Sequence, residues 1–188
     1  MHEARCLCQT LPKLALTTRL ALVMHHREVQ KTTATGPLAV AALTGSTTYI
    51  HGLPDQPLDL NHLHEPSRRV LVLYPAEGAR VLSRALVAED PRPVTLVVPD
   101  GNWRQAGRIP KRVPGLERAE CVVLPEGPKS RWGVRTESRA EGLATFEAIA
   151  RAFGILESQA VQAELEALFA RMVAATFETR GEPLAGRP

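Results

Sequence analysis

A carboxylate, an amide, an indole and a guanidinium fall within five residues of one another as Asp100, Asn102, Trp103 and Arg104, inside the stretch VTLVVPDGNWRQAGRIPKR from Val94 to Arg112. An apolar run that ends in Pro-Asp-Gly and then turns helical and basic is how a buried strand delivers chemistry. Val94, Leu96, Val97 and Val98 have the length and β-branched character of a central strand covered on both faces, and Pro99 is expected to stop it. Asp100 then stands at a strand's carboxyl end, the edge at which open α/β sheets bind their ligands. Asn102 suits the N-cap of a short helix with Trp103, Arg104 and Gln105 in its first turn. The same spacing also fits a bland arrangement, in which Asp100 serves only an Asp-Gly turn and Trp103 packs as core.

D-G-N-W followed by R-Q-A resembles the D-x-T-W signature of the DTW-domain family, with Asn102 where the family has Thr. Further landmarks of that family follow along most of the chain: H-x-x-E at His25 to Glu28, T-G-P-L at Thr35 to Leu38, and L-Y-P at Leu73 to Pro75. S-R-W-G-V-R at Ser130 to Arg135 and L-A-T-F-E-A at Leu143 to Ala148 complete the set. The resemblance implies transfer of the 3-amino-3-carboxypropyl group of S-adenosylmethionine to N3 of a uridine in tRNA, releasing methylthioadenosine. It also implies a SPOUT-like α/β fold with a carboxy-terminal trefoil knot, in which the loops after Tyr74, Pro99 and Leu124 meet as the cofactor pocket. Cofactor contacts are then expected at Thr35, Gly36, Leu73, Tyr74, Pro75, Asn102, Arg135 and Thr145.

Uridine N3 holds its proton at neutral pH and must lose it at or before the attack. Asp100, the carboxylate of the strongest motif, is the expected general base, a role that needs partial burial to lift its pKa above about 3.9. Trp103 is expected to stack on the adenine or to face the sulfonium as a cation–π partner, with a core indole as the alternative. Arg104, Lys111, Arg112, Lys129, Arg131 and Arg139 are expected to grip the RNA backbone; the alternative is a solvated loop whose Arg side chains pair with Glu126, Glu137 and Glu141. Thr145 also fits the N-cap of its helix, and Glu147 the first turn, where the helix dipole favours a carboxylate. Two other functions remain open. One is a related S-adenosylmethionine-dependent enzyme, either a SPOUT-type RNA methyltransferase or an aminocarboxypropyltransferase acting on ribosomal RNA; the other is a non-catalytic RNA-binding module. Product mass separates aminocarboxypropyl transfer from methyl transfer and from a binding module that adds nothing.

The 188 residues, 44% hydrophobic and 23% charged, suit a single globular domain spanning 1–188 with a full core. No apolar run approaches the roughly 18 residues of a membrane span, and Met1 to Cys6 hold no apolar signal core, so a cytoplasmic protein without membrane contact is expected. No obligate protein partner is implied. The net charge is +3, and 19 of the 23 basic residues are Arg, a side chain suited to bidentate phosphate contact and base stacking. Arg excess also follows from genomic base composition. Cys121 sits in an apolar run and reads as a small buried hydrophobe. Cys6 and Cys8 resemble the second half of the zinc knot that many family members carry, making residues 1–18 its remnant; two thiolates do not close a tetrahedral site, so zinc is not expected.

The elements that must position these groups alternate. Strands are expected at Arg19 to His25, Thr47 to Ile50, Arg69 to Tyr74 and Glu120 to Leu124, beside the one from Val94. Helices are expected from about Pro37 to Leu43, Glu77 to Ala88, Thr145 to Phe153 and Ser158 to Thr179, the last with an apolar stripe of Leu165, Leu168, Phe169 and Met172. Such alternation predicts an α/β fold, a largely parallel sheet with flanking helices. Leu53 to Ser67 reads as a surface connection, Pro125 to Gly142 as a long basic loop, and 180–188 as a frayed tail.

Overall fold

The computed structural model describes residues 7–130, 132 and 142–181. Six strands form one sheet: β1 (Arg19–His25), β2 (Thr47–His51), β3 (Arg69–Leu73), β4 (Arg80–Val81), β5 (Val94–Asp100) and β6 (Glu120–Val123). Their order is β2-β1-β5-β3-β6-β4, and every pairing among them is parallel. The helices are α1 (Gly36–Ala42), α2 (Arg84–Ala88), α3 (Trp103–Ala106), α4 (Ile109–Arg112), α5 (Thr145–Leu156) and α6 (Gln159–Arg180). Parallel strands require crossovers, and the crossovers cover both faces, which is why the central strands read as unbroken apolar runs.

Within those runs the period of two still sorts the side chains. Leu20, Leu22, Met24, Leu71, Leu96 and Val98 join one core with α1, α5 and α6, while Ala21, Val23, Val70, Val72 and Val97 face the other way. On that second face they meet Leu60, Ile109, Val113 and Leu116. The segment from Leu53 to Ser67 is therefore more than a surface connection. Leu60 is fully buried at its centre, just before a 3-10 turn Asn61–Leu63, and burial of a Leu contributes about 1.5–3 kcal/mol. Leu7, Leu11, Leu14 and Leu16, in the region expected as a zinc-knot remnant, pack on the first core.

Two further expectations fail. Pro99 does not stop the central strand; β5 runs on through it to Asp100 and all seven of its residues are buried. The ladder to β3 ends at Val97, so from Val98 onward β5 pairs with β1 alone, and a residue lacking an N–H is tolerated beside the open side. The expected helix from Glu77 to Ala88 is instead a turn at Gly78 (φ 75°), the short strand β4 and the five-residue α2. Arg80 bonds Glu89 and Glu120, Leu82 N donates to Val123 O at 2.8 Å, and the Ser83 side chain caps α2 by accepting from Leu86 N at 3.2 Å. Edge pairing and a cap thus outcompete a helical spacing that Leu82 and Leu86 satisfy equally well when buried from a strand end and a shorter helix. The remaining strands and helices lie within a few residues of their expected bounds, and the α6 stripe Leu165, Leu168, Phe169 and Met172 is core. No helix among the described residues is long and apolar enough to cross a membrane.

Candidate active site

β5 lies between β1 and β3, although β2 already flanks β1 on the other side, so the strand order reverses at the carboxyl end of β5. Crossovers leave in opposite directions there and open a crevice. Asp100 is the last residue of β5, paired in register with Met24 of β1, and only 6% exposed. Its Oδ1 accepts a 2.6 Å hydrogen bond from the Thr145 hydroxyl at the start of α5. Beneath it runs Gly36, where a Cβ would stand 3.0 Å from Asp100 Oδ2 and 2.9 Å from Leu22; glycine is the residue that lets the carboxylate seat there.

The loop after β5 is fixed by a capping box. Asn102 Oδ1 accepts from Gln105 N, and Gln105 Oε1 accepts from Asn102 N, both at 2.9 Å. Asn102 thus performs the N-cap function expected of it. Trp103, the first residue of α3, is half-buried, with its ring 6.3 Å from that of Tyr74. It is a wall of the crevice, not a member of either core.

Across the crevice, α5 is held to the loop before α1 by Phe146 N donating to Thr35 Oγ1 at 3.1 Å. Thr145 does not cap this helix. Ala144 occupies the N-cap position, and the Glu147 side chain reaches back to accept from Ala144 N at 2.9 Å, leaving the Thr145 hydroxyl for Asp100. Glu147 Oε2 also accepts from the Ser130 hydroxyl, and Ser130 Oγ accepts from Trp132 N at 3.1 Å. Trp132 is buried against Phe169. The basic loop is accordingly pinned to the body of the protein at Ser130 and Trp132. Glu147 thus does more than the first-turn dipole carboxylate expected of it; the signal for this role is its place three residues after the N-cap, the capping-box spacing.

These groups enclose a crevice of about 560 Å³, a size that suits a nucleoside-sized ligand. Thr35, Leu73, Tyr74, Pro75, Asp100, Asn102, Trp103 and Thr145 all line it, together with apolar Val98, Leu124 and Trp132. Gly36 lies behind the lining, under Asp100. Arg104, Lys111, Arg112 and Lys129 are exposed, the first three on α3 and α4. Arg131, Arg135, Arg139, Cys6 and 182–188 of the tail lie outside the described residues. Cys8 opens a 3-10 turn, and among the described residues no three His, Cys, Asp or Glu side chains cluster as metal ligands. Cys121 is half-buried, and burial pushes its thiol pKa up.

The chain is 28% identical to tRNA-uridine aminocarboxypropyltransferase 2 of Macaca fascicularis over 158 residues, 81% of this chain and 53% of that protein. With the protein of the same name from Drosophila melanogaster it is 28% identical over 160 residues, 82% of this chain and 63% of the relative. It thus spans about half to three-fifths of the length of these curated relatives. Among solved structures, the SAM-dependent rRNA:acp-transferase Tsr3 from Vulcanisaeta distributa superposes with a TM-score of 0.52 over 89% of this chain and 85% of that one, at 13% identity, a likeness of fold. The DTW domain matches residues 1–177, a span that takes in the whole sheet, the crevice and all but the end of α6, and the chain belongs to the DTW domain family.

Proposed function

We propose that this protein is an S-adenosylmethionine-dependent tRNA-uridine aminocarboxypropyltransferase, acting as a single DTW domain of the SPOUT-like class in the cytoplasm. The observation that carries the reading is Asp100, a buried carboxylate at the floor of a nucleoside-sized crevice, oriented by Thr145 and flanked by the motif the family shares. The crevice also fits the cofactor. Apolar strand ends suit a thioether and an adenine, and an aromatic edge and a carboxylate suit a sulfonium and an amine. When bound, S-adenosylmethionine supplies a sulfonium-activated 3-amino-3-carboxypropyl carbon and departs as methylthioadenosine.

The chain's own residues select and position. Asp100 takes the N3 proton of the uridine as the N3–carbon bond forms, and Thr145 holds the acceptor oxygen by donating to it. Tyr74 and Trp103 form the wall on the α3 side, Asn102 fixes the α3 entry, and backbone groups at Thr35, Leu73 and Pro75 meet the cofactor from free strand ends. Gly36 contributes by its missing Cβ. Arg135 is assigned to the carboxylate of the transferred group. Arg104, Lys111, Arg112, Lys129, Arg131 and Arg139 take the RNA backbone, and a carboxy-terminal trefoil knot belongs to the same reading.

Nucleoside mass spectrometry of tRNA, from cells with and without the gene and from transcripts treated with the purified protein, tests it. An aminocarboxypropyl-uridine that disappears on deletion and forms in vitro is expected. A methyl-sized product, or none, rejects the reading. The fold likeness to an rRNA-directed transferase favours ribosomal RNA as the second reading, and the same assay on rRNA decides between them.

A further inference from the structure

The transfer reading leaves one group of side chains unused, three imidazoles where β1 and β2 end. His25 and His51 are the last residues of those strands and are paired in register, and His26 follows directly. The His25 and His26 rings lie 4.5 Å apart between centroids, tilted by 30°, and His51 meets His25 edge-on at 6.3 Å. We propose that His25, His26 and His51, with Arg112 beside them, seat the nucleotide that flanks the modified uridine in single-stranded RNA, an inference that rests on the RNA reading above.

Position is the first argument. The neighbouring strand to β1 is β5, and Met24 is paired with Asp100, so His25 lies one residue beyond the catalytic register. Gly101 passes close to the His25 Cβ, and Gln105 Nε2 approaches His25 Nδ1 at 3.4 Å from α3. The cluster therefore extends the carboxyl edge of the sheet beside the crevice, on the β1 side of Asp100, a path open to the next nucleotide of a strand inserted there.

The second argument is that the cluster is built. Gly52 crosses it with φ 88°, and a Cβ there would stand 3.1 Å from both His25 Nε2 and His26 Nδ1. His25 Nδ1 accepts from Arg27 N at 3.2 Å, which places its proton on Nε2. His26 Nδ1 is buried and, among the described residues, makes no hydrogen bond. A core has no use for three adjacent imidazoles. Stacked on or bonded by a base, they offer planar faces and ring nitrogens.

The third argument is charge. Burial, then His26, His51 and Arg27, hold the His25 pKa below the ordinary 6.5; burial, then Arg112 and His26, do the same for His51. The carboxylate facing the cluster, Glu28, is buried and bonded to Lys31 at 2.5 Å. The His25 and His51 rings, held toward their neutral form beside Arg27 and Arg112, suit a base on the faces and a phosphate at the guanidinium. A phosphate placed there would favour protonation, so binding RNA takes up protons.

The test is the affinity of an unmodified tRNA transcript at pH 7.5 and pH 5.5, at fixed ionic strength, for the wild type, His51→Asn and Arg112→Ala, with S-adenosylmethionine titrated separately. Wild-type RNA affinity is expected to rise about tenfold at the lower pH. Both variants are expected to bind RNA about tenfold more weakly at pH 7.5, with His51→Asn flattening the pH dependence and neither changing cofactor affinity. Arg112 is exposed, so its removal does not endanger folding. Unchanged RNA binding in both variants, a pH dependence that survives His51→Asn, or equal losses for RNA and cofactor would overturn the proposal; the transfer chemistry would stand, with Arg112 removed from its RNA contacts in the first case. A wild type that binds no RNA overturns both.

Discussion

Asp100 accepts a hydrogen bond from a hydroxyl at the start of α5, and the missing Cβ of Gly36 leaves room for its other oxygen. A hydrogen bond from a fixed helix start orients the carboxylate, which is what positioning chemistry requires. Asp100→Asn keeps the shape and loses the basicity, so under the proposed function turnover is expected to fall by about 10²–10⁴-fold with S-adenosylmethionine affinity within a few-fold, measured by single-turnover transfer and calorimetry. Lost cofactor binding with residual turnover would instead assign Asp100 to the cofactor. Thr145→Val is expected to lower kcat with little change in KM, and Thr145→Ser to restore it. At this scale the sequence was legible wherever the signal was local. Asn102 caps as expected, and Gln105, three residues on, completes a capping box of local spacing, whereas the partner of Thr145 lies 45 residues away and no spacing rule reaches it.

At the scale of elements, one side chain connects a helix start to a loop. Glu147 accepts from Ala144 N inside α5 and from Ser130 in the segment before it, and Ser130 in turn takes Trp132 N. Glu147→Ala is expected to cost about 1–2 kcal/mol in urea unfolding and, in a Trp103→Phe background, to red-shift the emission of Trp132. An unshifted spectrum would mean that the burial of Trp132 against Phe169 alone holds the loop. The failures of sequence reading have the same origin as its successes. Apolar runs give β1 within its own bounds, but the stop expected at Pro99 fails because a sequence does not show on which side a strand has lost its neighbour. The span 77–88 had helical spacing, and only the Glu120 and Val123 partners of β6 reveal why Arg80 and Val81 extend instead.

For the whole molecule, charge sets the conditions of use. His25 and His51 have folded-state pKa values below 6.5, so the unfolded chain binds their protons first. Their effect on stability is nil above pH 6.5 and becomes a loss as pH falls through and below that value. Urea titrations at pH 7.5 and 5.5 are expected to show that loss, smaller in His51→Asn. Removing Arg104, Lys111 and Arg112 together is expected to lower the salt dependence of log RNA affinity by about 0.7–0.9 per lost phosphate contact, with cofactor affinity unchanged. An unaltered slope would return those residues to a solvated face. The place of β5 in the sheet has a consequence for synthesis. β1, β2 and β3 are complete by residue 73, yet β3 has no strand to join until Val94–Asp100 arrives to separate it from β1. A ribosome therefore releases roughly half of these residues before β3 can join the β1–β2 pair, with the apolar β3 exposed to chaperones meanwhile. Asp100 completes β5, so the carboxylate emerges with the strand that joins the two halves of the sheet, ahead of β6 and of the α5 and α6 that cover it.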